Sequence, residues 1–95
     1  MRTIHKFTLP VRDIVSVEMP TTAKILHIGH QPGDGPDTLR IWAEVDTDFG
    51  MKEDRVFYIV GTGNPMPTPR PGWGMDHRAS VIVHPFVWHV YEQVR

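Results

Sequence analysis

Apolar and polar residues alternate with a period of two through much of the chain, the spacing that sends successive side chains to opposite faces of a β-strand. The cleanest case is Thr38 to Asp46. There Leu39, Ile41, Ala43 and Val45 share one face, and Arg40, Trp42, Glu44 and Asp46 share the other. Asp13 to Met19 repeats the pattern, with Val15, Val17 and Met19 opposed to Ser16 and Glu18. Weaker alternation marks Thr3 to Leu9 and Ala23 to Gln31. Arg55 to Val60 differs, because every residue from Val56 to Val60 is apolar or aromatic. Such a run suits a strand covered on both faces. Ala79 to Val83 and Phe86 to Val94 follow, split at His84-Pro85 either as a strand pair with a tight turn or as one long kinked strand.

Between these runs lie turn residues. Met19-Pro-Thr-Thr22 breaks the ladder because Pro20 has no N–H to give. Gln31 to Asp37 holds two glycines and two prolines and reads as a mobile hairpin connection. Asp46 to Asp54 is polar and turn-like. Gly61 to His77 shows no period at all, and so long an irregular segment in a small domain is usually functional or disordered. No segment keeps a helical period over ten residues. The pattern therefore predicts one all-β domain over residues 1–95, a meander of six or seven short strands forming a small antiparallel barrel or a two-sheet sandwich.

Composition narrows what such a domain does. With 95 residues it buries a modest core. It has no cysteine, so neither disulfides nor thiolate metal sites hold it together. Ten Lys and Arg against eleven Asp and Glu argue against bulk attraction to nucleic acid. No apolar run is long enough to cross a bilayer as a helix, and no apolar segment follows Arg2 and Lys6 as in a signal peptide. These features lead to the expectation of a cytoplasmic protein without membrane partners.

Four stretches carry a resemblance. They are Met19-Pro-Thr-Thr-Ala-Lys-Ile-Leu-His27, Leu39-Arg-Ile-Trp-Ala-Glu-Val-Asp46, Arg55-Val-Phe-Tyr-Ile-Val-Gly-Thr-Gly-Asn-Pro65 and Phe86-Val-Trp-His-Val-Tyr-Glu92. Taken in order, they resemble a family of uncharacterised small proteins of bacteriophages and of bacterial genomes carrying phage remnants. The Gln31–Asp37 loop and the Met66–Gly74 segment have no counterpart in the resemblance. It brings no site residue with it. It implies a phage accessory protein acting in the host cytoplasm, a class that often counters host defence by blocking a host protein or sequestering a nucleotide signal.

The chemistry-bearing residues point first to binding. Gly61-Thr-Gly-Asn64 can expose successive N–H groups as an anion-binding nest, and Thr62 adds a hydroxyl, although the Lys-Ser/Thr of a P-loop is missing. Arg70 and Arg78 follow, with Trp73 between Gly72 and Gly74 as the one large apolar residue of that stretch. Arginine pairs bidentately with phosphate oxygens. The expected ligand site is therefore Gly61, Thr62, Gly63, Asn64, Arg70, Trp73 and Arg78, for a nucleotide-type molecule, with no cofactor, metal or catalytic residue. Trp42, on a face otherwise held by charges, is the expected interface residue for a host protein or a second copy. This supports an alternative, a protein-blocking inhibitor or assembly component using Trp42 and an exposed sheet edge, as a homo-oligomer. A second alternative is a small hydrolase, either using histidines and carboxylates or metal-dependent. The case for it is thin, because His27 and His30 point to opposite faces of a strand, and Ser16 and Ser80 sit in plain strand contexts.

Overall fold

The computed structural model describes residues 1–95 as seven strands and no helix. They are β1 (Arg2–Pro10), β2 (Ile14–Pro20), β3 (Lys24–Gly29), β4 (Thr38–Asp46), β5 (Lys52–Gly61), β6 (Gly74–Val83) and β7 (Phe86–Val94). Two antiparallel sheets form, ordered β1-β4-β3 and β2-β5-β7-β6. The fold is an open two-sheet sandwich rather than a barrel. It is not a meander either, since only β3–β4 and β6–β7 are neighbours in both sequence and sheet.

The core is where the two apolar rows meet. Leu39, Ile41, Ala43 and Val45 of β4 face Val15, Val17 and Met19 of β2 and Phe57 and Ile59 of β5, with Leu9, Ile28, Val81, Val83 and Val90 completing the cluster. Phe57, Leu9, Met19, Leu39 and Ile41 lose all contact with solvent. At ~25 cal/mol per Å² of apolar surface, each large side chain contributes about 1.5–3 kcal/mol on burial. Both faces of β5 are covered, as its composition required, because Tyr58 and Val60 are buried along with Phe57 and Ile59.

Two β-bulges re-aim side chains. In β3 the register slips between Ile25 and His27, so Ile25 and Ile28, three residues apart, both pack on the core. In β6 it slips between His77 and Ala79. The extra residue there is Arg78, and the slip turns it toward the inward row of β7. β6 begins at Gly74, five residues before the apolar alternation at Ala79, because the bulge destroys the period that would have announced it.

β5 and β6 are both antiparallel to β7, so they run the same way, and the segment 62–73 must return along the length of the sheet. A turn stands at each end of it. Asn64 N–H donates to Gly61 C=O and Gly63 has φ +91°. Trp73 N–H donates to Arg70 C=O and Gly72, after Pro71, has φ +84°. Both are type II turns, whose third position needs a residue with positive φ. The Gln31–Asp37 connection is tied down: Arg40 Nε and Nη2 donate to Asp34 Oδ2 and Oδ1 at 2.8 and 2.9 Å.

Candidate functional site: an arginine-lined cleft

Arg55 stands in phase with Phe57 and Ile59, and Glu92 in phase with Trp88 and Val90. Both therefore lie on the core-facing rows, where a charge is expensive unless paired. Phe57 is opposite Glu92 in the ladder, which makes Arg55 its diagonal neighbour. Arg55 Nε and Nη2 donate to Glu92 Oε2 and Oε1 at 2.6 and 2.8 Å. Arg78 Nε, brought inward by the bulge, donates to Glu92 Oε1 at 2.9 Å. Arg55 Nη1 also reaches across to the Ala23 carbonyl at 2.9 Å, bridging the two sheets. Burial alone would push the Glu92 carboxyl up, but the hydrogen bonds and charges of Arg55 and Arg78 outweigh it and hold it below the ordinary glutamate range. The bond to Glu92 raises Arg55 in turn.

One carboxylate thus holds two arginines. The Arg78 side chain stays 32% exposed, with only Asp76, at 3.8 Å, as a further partner. The trio forms one wall of a cleft of about 610 Å³. Arg70 and Trp73 of the type II turn line the same cleft. Arg95 lies over the Trp73 ring at 4.6 Å from its centroid, and Arg70 at 6.0 Å. Neither of these two arginines is paired with a carboxylate. Glu53 and Asp54 line the same cleft, so four arginines face three acids. A half-buried indole with a guanidinium laid on it suits a flat, anionic ligand: a planar ring can stack on the Arg95–Trp73 layer or displace Arg95 from it, and the guanidiniums bind phosphate or carboxylate oxygens.

The residues expected to form one site are divided between two places. Arg70, Trp73 and Arg78 line this cleft; Gly61, Thr62, Gly63 and Asn64 do not. Gly61 is six residues along β5 from Arg55, about 20 Å at ~3.3 Å per residue. The glycine turn also uses its own donors, since Thr62 N–H goes to Val87 C=O and Asn64 N–H to Gly61 C=O. Little is left for an anion nest. The Thr62 hydroxyl instead meets His89 Nε2 at 2.8 Å, His89 Nδ1 meets the Ser80 hydroxyl at 2.7 Å, and His77 Nε2 meets the same hydroxyl at 3.0 Å. This polar chain decorates the outer face of the four-stranded sheet. His77 and Ser80 share that face only because the bulge at Arg78 intervenes. No three His, Cys, Asp or Glu side chains gather as a metal site.

Trp42 lies on the outer face of the three-stranded sheet, half-buried, with its ring 5.7 Å from that of His27. Arg55, Glu92 and Arg95 also line the cleft, and the hydrophobic pattern alone does not place them there. The available signal was a pair of opposite charges in phase with apolar rows.

No curated protein and no solved structure matches the chain. A family model matches all of residues 1–95, and the chain belongs to that family, described as a domain of unknown function (DUF7352).

Proposed function

We propose that this domain is a non-enzymatic binding module that holds a nucleotide-type anion in the cleft between Trp73 and the Arg55–Glu92–Arg78 trio. The observation that carries the reading is the pair Arg70 and Arg95, set by the Trp73 ring without carboxylate partners, beside a third, part-exposed arginine, Arg78, that lines the same space. An unpaired cation pair over an aromatic ring adds nothing to the core and is a prepared surface for a planar anion. In a phage setting, as the resemblance implies, such a module would act in the host cytoplasm by withdrawing a nucleotide signal from a defence system. Equilibrium binding of AMP and ATP to the wild type and to Arg70→Ala, Trp73→Ala and Arg95→Ala tests it. Loss of a stacked base is worth about 1–3 kcal/mol, roughly five- to 150-fold in affinity. Unchanged affinity in all three variants refutes the site.

A second reading, association with a host protein or another copy, draws on a different observation. Ile82 is 73% exposed on edge strand β6, and Phe86 beyond it is 51% exposed. Sedimentation of Ile82→Ser and Phe86→Ser proteins checks this. A wild type that sediments as a monomer removes self-association, and variants that sediment as a wild-type oligomer does remove this edge from it.

A further inference from the structure

The arginine cleft does not end at Arg55 and Arg78. A second cleft, of about 370 Å³, lies against edge strand β3 and shares Ala23, Arg55 and Arg78 with the first. The two spaces adjoin at Ala23 and the paired arginines, where the Arg55 bond to the Ala23 carbonyl also lies. Trp73 marks the far wall of the first lobe. The second is lined by consecutive residues of β3, including Lys24, Leu26 and His27. Leu26 is the residue displaced by the β3 bulge and is 49% exposed, an apolar side chain set outward beside a cation. The groove thus offers a cationic waist between two ring-accepting ends, with further positive charge at each end: Arg70 and Arg95 at one, Lys24 at the other.

We propose that the groove takes a dinucleotide, with its bridging phosphate against Arg78 and its two bases in the Trp73 and Leu26 lobes. This rests on the nucleotide reading of the first lobe and goes beyond it by assigning the second. A mononucleotide fills one lobe and leaves the other to water. A ligand with two nucleosides joined through phosphate places charge where the lobes meet and apolar rings where they end. The bulge in β3 also argues against an added peptide strand, since it twists that edge out of register for pairing.

Titration calorimetry of the full chain with AMP, with the dinucleotide pApA and with a longer oligoadenylate tests the assignment. We expect pApA to bind about tenfold tighter than AMP, the gain of covering a second base with Leu26 and of a second phosphate beside the arginines. Lys24→Ala and Leu26→Ser are surface changes that leave the core intact. They should abolish this gain and leave AMP affinity unchanged, while Trp73→Ala weakens both ligands. Equal affinity for AMP and pApA overturns the two-lobe proposal and leaves the first site standing. Binding of neither overturns both. An oligoadenylate that binds tighter than pApA identifies a nucleic-acid strand as the source of the chemistry and overturns the small-ligand assignment.

Discussion

Replacing Glu92 by glutamine tests how the fold holds the site. Glu92 is 5% exposed and accepts three hydrogen bonds, two from Arg55 and one from Arg78, at 2.6 to 2.9 Å. The amide keeps the shape but not the charge. One of its two terminal atoms becomes a donor facing arginine N–H groups, Arg55 loses its counter-ion, and Arg78 keeps only Asp76 at 3.8 Å. Breaking a buried ion pair by removing one partner costs about 3–5 kcal/mol. Arg78 borders an open cleft and can draw in water, so the lower end applies, about 3 kcal/mol. For a domain of this size that corresponds to a fall in Tm of ~12–24 °C. Thermal unfolding followed by circular dichroism measures it. The solvent-exposed pair Arg2–Glu44 is the control, and Arg2→Ala should leave Tm close to that of wild type. A Glu92→Gln protein melting within ~3 °C of wild type would refute the claim that this carboxylate anchors the two arginines.

Acid should act through the same group. Glu92 and Asp34 both have folded pKa values below their unfolded ones, Glu92 through Arg55 and Arg78 against its burial, and Asp34 chiefly through its bond to Arg40. Their contributions are complete above the unfolded carboxylate range, near pH ~4, and vanish as pH falls through the lower folded values. Tm should therefore be flat from pH 7 to 5 and drop below ~4 in wild type, and the drop should shrink in Glu92→Gln. Phe57→Ala opens the middle of the core and should cost about 3–5 kcal/mol in urea unfolding. Gly72→Ala puts a side chain at φ +84° in the turn that presents Trp73, costing ~1 kcal/mol and weakening nucleotide binding together with stability. His89→Ala severs the Thr62–His89–Ser80 chain and should leave nucleotide affinity unchanged, since that chain is on the outer sheet face and the glycine turn is ~20 Å from the cleft.

Much of the fold was legible because most strands have one buried face. β4 alternates without exception, and its boundaries in the structure are those of the pattern, Thr38–Asp46. β5 was legible for the opposite reason, an unbroken apolar run on a strand covered from both sides. β6 was not. Its first five residues pair with the end of β7 through a bulge that puts two successive residues on one side, and no period of two survives that. Strand order was also hidden, because the hydrophobic pattern fixes which face is buried and not which strand lies next to which. That gap explains the site. Arg70, Trp73 and Arg78 stood out as a lone indole among cations. Glu92 is 37 residues from Arg55 in sequence, and only the β5–β7 register joins them. Joining the Gly61–Asn64 turn to those arginines failed on the length of the return segment, which carries the chain from one end of the sheet to the other.

The trio also shows a cost that the core itself does not need. Apolar residues in place of Arg55 and Glu92 would complete the inward rows of β5 and β7, with Arg78 at their rim, and exchanging a buried ion pair for packed side chains is often neutral or stabilising by about 1–4 kcal/mol. A combined Arg55→Met, Glu92→Leu, Arg78→Met protein should therefore melt near or above wild type, although Glu92→Gln alone is severely destabilised. The same protein loses the two arginines shared by both lobes and should bind neither AMP nor pApA. Stability recovered with binding lost separates the two roles and assigns the buried charge to the ligand rather than to the fold. Stability lost as well would mean that the cross-sheet bond from Arg55 to the Ala23 carbonyl is what keeps the sandwich closed at this end.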